Sequence, residues 1–216
     1  MKYSAAFFDV DRTLIPGHSM ERVFMPFLWK AGYLRSADFG RYLTFIAKNL
    51  DKNLRDLLYH NKLHFRDKDS EELKHLAETY FKTKILPLIS PKGRQAVEKH
   101  QKKGRMVVIL TGSLHPLAES LRKELDADIT LATRLGEAQG VLTGKLANTR
   151  PYGPEKARLV RNTAAELNLD LANSFAYGDH HSDVEVLASV GYPRAVNPHP
   201  RLKFEARKRG WPIVQF

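Results

Sequence analysis

Near the N-terminus an apolar run, Ala5-Ala6-Phe7-Phe8, stops at two carboxylates one residue apart, Asp9 and Asp11. The run reads as a buried strand, and side chains two positions apart on a strand or the tight bend after it face the same way. Both aspartates can therefore converge just beyond the strand's C-terminal end, where open α/β sheets bind their ligands. Gathering carboxylates away from water is costly unless a cation or a shared proton compensates. A plainer reading of the same residues is a strand entering an Asx-type turn, with Thr13 capping the next helix.

From Gly17 to about Tyr80 the apolar spacing is helical. Val23, Phe24, Phe27, Leu28 and Ala31 share one face of a first helix that ends at Gly32. Tyr42, Phe45, Ile46 and Leu50 mark a second helix, and Leu54, Leu57, Leu58 and Leu63 a third. Leu73, Leu76, Ala77 and Tyr80 mark a fourth, stopped by Pro87.

Strands and helices then alternate. A helix runs from Pro91 to Lys103 with Ser90 as its cap, and strand Met106 to Leu110 leads into Thr111-Gly112-Ser113. A helix is expected over 115–124, and another over 154–167. Between them, Ile129 to Thr133 and Val141 to Leu146 flank a turn-rich segment with Gly136 and Gly140, which reads as a hairpin or flap. Strand Ser174 to Tyr177 precedes Gly178-Asp179 and a further helix. Short strands near Arg194 to Val196 and Ile213 to Val214 bracket a last basic helix. This order predicts an α/β fold: a three-layer, Rossmann-like parallel-sheet core over 1–15 and 86–216, with an all-helical cap domain inserted at 16–85.

Composition excludes several chemistries. With no cysteine among 216 residues, no disulfide, zinc–thiolate site or thiol nucleophile can form. No apolar run approaches the roughly 18 residues that would span a bilayer, and the stretch after Lys2 is too short for a signal-peptide core. The expectation is a soluble, cytoplasmic protein. A formal charge of +11 raises encounter rates with phosphates, nucleic acids and anionic membranes. The excess gathers in His100-Gln101-Lys102-Lys103-Gly104-Arg105 and from Arg201 to Arg209, which read as solvated helix faces and ends. No nucleic-acid motif accompanies them, so nucleic acid is not the expected partner.

In a parallel sheet, four strand-end signals fall on one edge: Asp9 with Asp11, Thr111, Lys156 after Gly153-Pro154, and Gly178-Asp179-His180-His181-Ser182-Asp183. Clustered carboxylates suit Mg²⁺, a hard cation that takes oxygen ligands. A hydroxyl, nearby backbone N–H groups and an ammonium suit the oxygens of a phosphoryl group. Singly, Thr111 suits a helix cap, Lys156 a solvated helix start, and Asp179 and Asp183 a helix dipole. His180 and His181 read as loop residues near the crevice mouth.

The ordered set hhhhDxDxT, hhhhTGS, lysine and hhhhGDxxxD resembles the haloacid-dehalogenase superfamily of phosphohydrolases. The helical insertion and the tail Ala195-Val196-Asn197-Pro198-His199-Pro200-Arg201-Leu202, then Arg209-Gly210-Trp211-Pro212, resemble the branch that includes phosphoserine phosphatase. That resemblance implies Asp9 as the nucleophile that forms an aspartyl-phosphate, and Asp11 as general acid and then general base. It implies Mg²⁺ held by Asp9, Asp179 and the main-chain carbonyl of Asp11, with Asp183 orienting a metal-bound water or Lys156. Thr111, the Gly112 amide and Lys156 would hold the phosphoryl oxygens. The expected substrate is a small phosphorylated metabolite.

Two positions depart from the family pattern. Arg12 stands where many members carry glycine or serine, and His18 where phosphoserine phosphatases carry the acidic partner of the substrate ammonium. Glu21, one helical turn later, is the remaining acidic candidate. A different reading stays open: a binder of nucleic acid or membrane surfaces, or a phosphatase of nucleic-acid ends or lipid head groups, using the basic field.

Overall fold

The computed structural model describes residues 3–49 and 62–216. Strand β1 (Ala5–Phe8) is buried on both faces, as its unbroken apolar sequence dictates. It pairs in parallel with β2 (Met106–Leu114) on one side and β6 (Phe175–Gly178) on the other. β3 (Ile129–Thr133) lies outside β2, while β7 (Tyr192–Val196) and β8 (Ile213–Val214) extend the sheet beyond β6. The described residues thus form a six-stranded parallel sheet in the order β3-β2-β1-β6-β7-β8.

Alternation along β1 splits the core in two. Ala6 and Phe8 pack with Val97 of α4 (Pro91–Gln101) and with Leu117 and Leu121 of α5 (His115–Glu124). Ala5 and Phe7 pack with Val160 of α6 (Pro154–Glu166), Leu187 of α7 (Val184–Ala188) and Leu202 of α8 (Pro200–Lys208). Burying Phe7 and Phe8 contributes about 1.5–3 kcal/mol each. Ser90 caps α4 as expected, its hydroxyl accepting from Gly93 N–H at 3.1 Å.

Between β1 and α4 lie α1 (Met20–Lys30), α2 (Ser36–Ala47) and α3 (Ser70–Tyr80). Phe24 and Leu28 of α1 and Leu73, Ala77 and Tyr80 of α3 join the same buried cluster as Phe8. On α2, Tyr42, Phe45 and Ile46 are only half-buried. The helix expected around Leu54, Leu57 and Leu58 lies outside the described residues. α3 ends at Tyr80, ahead of Pro87 as expected, but Pro87 is not what stops it. The chain keeps turning, widely over Phe81–Ile85 and tightly over Leu86–Leu88, so Pro87 sits inside a turn that needs no helical N–H from it.

Two further expectations need correction. β2 runs on through Thr111-Gly112-Ser113 to Leu114, because Leu114 pairs with Thr133 across a register shift and the Thr133 hydroxyl donates to Gly112 O at 2.7 Å. Ile129 to Thr133 is not an arm of the hairpin but a strand of the main sheet. The hairpin is β4 (Leu135–Ala138) with β5 (Val141–Leu146), and its outer backbone is bonded into the helical insertion. Lys62 N–H donates to Gly144 O, Asp67 N–H to Leu142 O, Leu142 N–H to Lys68 O and Ser70 N–H to Gly140 O, all at 2.8–2.9 Å. Among the described residues no helix is long and apolar enough to cross a membrane.

Candidate active site

Register places the site. Phe8 is level with Ile109 of β2 and Tyr177 of β6, so Asp9, Thr111 and Asp179 emerge at one edge of the sheet. β1 is where the strand order turns back, the position at which such sheets open a crevice. Asp9 N–H donates to Tyr177 O at 2.9 Å, which fixes its carboxylate at the end of β1. The crevice is a cavity of about 350 Å³ whose lining includes Asp9, Asp11, Gly112, Lys156, Asp179 and Asp183.

Lys156 organises its floor. Its ammonium, on the first turn of α6 and only 4% exposed, donates to Asp9 Oδ1 at 2.5 Å and to Asp183 Oδ1 at 2.7 Å. Asp183 is held from its other oxygen, which accepts His180 N–H at 3.1 Å. Gly178 makes room for this: a Cβ added there would lie 2.8 Å from Asp183 Cβ, closer than carbon atoms pack. Asp179 completes the cluster, and one oxygen from each of Asp9, Asp179 and Asp183 lies within 4.8 Å of the others.

Three buried carboxylates against one ammonium leave the floor short of positive charge. Burial pushes Asp9 well above the usual carboxylate range, Lys156 opposes this, and Asp183 and Asp179 add to the rise. Asp179 is pushed up to about 7 by burial and by Asp183, against the pull of Lys156 and Arg12. Burial works against the Lys156 ammonium, yet Asp183 and Asp9 outweigh it and hold its proton more tightly than in water. A divalent cation beside these oxygens would relieve the repulsion, and an all-oxygen donor set fits Mg²⁺.

Asp11 is set apart from this cluster. Its Oδ1 accepts Met20 N–H at 2.8 Å, while Oδ2 accepts the Ser113 hydroxyl at 3.0 Å and the Ser19 hydroxyl at 3.3 Å. Burial still raises its pKa, with these donors and Lys156 opposing. Thr111 is fully buried behind the cavity wall, its Oγ1 accepting Ser113 N–H at 3.1 Å, so the wall there is Gly112. The Thr111 O–H remains available as a donor.

Neither selectivity candidate lines the cavity. His18 is exposed to solvent, and Glu21 turns to an ion pair with Lys62. The wall is built instead by Ser19, Arg22, Arg150 and Tyr152, with Arg12 and His180. Sequence reasoning gave no role to Ser19, Arg22, Ser113, Arg150 or Tyr152. The available signal was position: Arg150 and Tyr152 stand in the turn-rich link from β5 to α6, at the edge where the motifs gather.

This fold and site define a phosphohydrolase of the α/β class. The chain belongs to the haloacid dehalogenase-like hydrolase family, which it matches over residues 6–188. It is 33% identical over 220 residues to the inhibition of morphological differentiation protein of Streptomyces azureus, covering 99% of this chain and 78% of that one. It is 31% identical over 219 residues to phosphoserine phosphatase SerB1 of Mycobacterium tuberculosis (strain ATCC 25618 / H37Rv), covering 99% of this chain and 71% of that one. A solved phospho-aspartyl intermediate analogue of phosphoserine phosphatase shares the fold, with a TM-score of 0.64 at 18% identity over 100% of this chain and 94% of that one. The chain is a phosphatase, a phosphoric monoester hydrolase.

Proposed function

We propose that the chain is a magnesium-dependent phosphomonoesterase for a small phosphorylated metabolite, working through an aspartyl-phosphate on Asp9. The observation that carries this reading is the Lys156 ammonium between Asp9 and Asp183, with Asp179 beside them. In this reading residues 1–15 and 86–216 form the catalytic core and 16–85 the cap. The cavity's volume of about 350 Å³ suits a metabolite, and the absence of cysteine suits a reducing, cytoplasmic setting.

Asp9, Asp179 and the Asp11 carbonyl would hold Mg²⁺, with Asp183 steadying Lys156 from behind. The ion would supply charge neutralisation for the phosphoryl oxygens. Gly112 N–H and Lys156 hold those oxygens in line with Asp9, while Thr111 braces the loop from behind by accepting Ser113 N–H. An Asp9 oxygen attacks phosphorus as the ester P–O bond breaks, and Asp11 gives its proton to the departing oxygen. Water then attacks the phosphorus, Asp11 takes a proton from it, the bond to Asp9 breaks and inorganic phosphate leaves. The raised pKa of Asp11 suits a group that must hold and then return a proton.

The test is hydrolysis of an aryl phosphate. Asp9→Asn keeps the shape and removes the nucleophile, and activity should fall by at least about 10³-fold. Chelation of Mg²⁺ should silence the wild type, and readdition should restore it. Undiminished turnover by the variant would overturn the assignment.

A further inference from the structure

Above its acidic floor the cavity has a cationic wall. Arg12, Arg22 and Arg150 line it, and every carboxylate in the lining belongs to the reaction floor: Asp9, Asp11, Asp179 and Asp183. Arg22 sits on the first turn of α1, exposed, with no ion pair among the described residues. Arg150 reaches the phosphoryl-binding loop itself, since a Cβ added to Gly112 would lie 3.2 Å from its Nε. Glu21, the acidic side chain nearest in sequence to the wall, is taken by Lys62.

A substrate's departing half meets this wall once its phosphoryl group is on the floor. A neutral half gains nothing from these guanidinium groups. An ammonium would be repelled by the like charge of the wall. A carboxylate or a second phosphate would find planar donor forks that match its oxygens. We propose that the enzyme selects phosphomonoesters whose leaving group carries a second anionic group, with Arg22 and Arg150 as the residues that read it. The inference rests on the phosphatase reading above and narrows its substrate class.

The experiment is a kcat/KM panel at fixed ionic strength with Mg²⁺ present. Its substrates are ethyl phosphate, phosphoethanolamine, phosphoserine, phosphoglycolate and propanediol bisphosphate, with an aryl phosphate as reference. The wild type should prefer phosphoglycolate and propanediol bisphosphate over ethyl phosphate by at least tenfold, chiefly through KM, with phosphoethanolamine the poorest and phosphoserine, which carries both a carboxylate and an ammonium, between them. Whichever of phosphoglycolate and the bisphosphate leads identifies the second group as carboxylate or phosphate. Arg22→Gln, at an exposed position, should reduce the anionic-to-neutral ratio at least fivefold, and Arg150→Gln should do the same. For the wild type, raising ionic strength should raise KM for the anionic substrates more than for ethyl phosphate.

Equal rates across the panel, or a preference for phosphoethanolamine, would overturn the inference while Asp9-dependent hydrolysis of the aryl phosphate left the phosphatase reading standing. No hydrolysis of any substrate would remove both.

Discussion

Ser113 donates its hydroxyl proton to Asp11 Oδ2 at 3.0 Å, joining residues 102 positions apart at the ends of two neighbouring strands. The bond, with Met20 N–H and the Ser19 hydroxyl, holds the carboxylate away from the Asp9–Lys156–Asp183 cluster. It also favours the charged form of Asp11 against burial. Ser113→Ala should lower kcat about tenfold and move the limb of the pH–rate profile that titrates Asp11 to higher pH. KM should change by less than about threefold, because the substrate's own contacts stay in place. Steady-state kinetics across pH checks both.

Lys156 bears on the fold as well as on the proposed reaction. Removing it leaves Asp9 and Asp183 buried side by side with Asp179 near them. Lys156→Met should cost about 3–5 kcal/mol in denaturant unfolding, and added Mg²⁺ should recover part of that loss. In the wild type the same addition should raise the melting temperature, and Asp179→Asn should shrink that rise.

Two buried histidines should make stability depend on pH. His100 is buried against Phe8 and Phe175, with Nε2 2.9 Å from the Tyr177 hydroxyl and Nδ1 3.3 Å from Arg105 Nη1. Arginine can only donate, so Nδ1 accepts, the ring is neutral and Nε2–H faces Tyr177. Burial, then Arg105 and its basic neighbours, lower His100 to about 4. His64, stacked on Phe39 at 5.7 Å, is lowered to about 4 by burial and Lys62, against a smaller pull from Asp38. Both folded values lie below the usual 6.5, so between about 6.5 and 4 the unfolded chain binds more protons. Stability should therefore be full above pH 6.5 and fall as pH drops to 4, by up to about 3 kcal/mol per histidine. Urea midpoints measured across that window check the sign, and His64→Phe should remove its share of the slope.

Glu21 tests the division between structure and selectivity. Its ion pair with Lys62 ties α1 to the chain entering the 62–70 segment, and both side chains are nearly buried, at 13% and 12% exposed. Glu21→Gln should destabilise the protein by about 1–3 kcal/mol by leaving Lys62 without its counter-charge. KM for phosphoserine should stay within about twofold. A large KM increase at unchanged stability would instead assign Glu21 to the substrate.

The sheet was legible because its signals are local. Phe8, Leu110 and Tyr177 end apolar runs that no helix period explains, and the polar residues after them can meet only if those ends share an edge. What escaped the sequence depends on contacts between distant segments. Ser113 looks like any small residue in a turn until Asp11 is placed beside it. Thr111 looks exposed until β2 is seen to run on past it. β4 was missed because Leu135-Gly136-Glu137-Ala138 has too little apolar alternation to declare itself, and Arg22 carries no mark that tells a crevice arginine from a surface one.

The backbone ladder between β5 and residues 62–70 limits how this enzyme can be re-engineered. A chimaera that borrowed only the helices from a relative would strip the hairpin of its partner, leaving amide and carbonyl groups bare and an edge open to aggregation. Residues 62–70 and 135–146 are one exchangeable block despite the stretch of sequence between them. Transplanting them together is the route by which a borrowed segment could arrive with its backbone bonds intact.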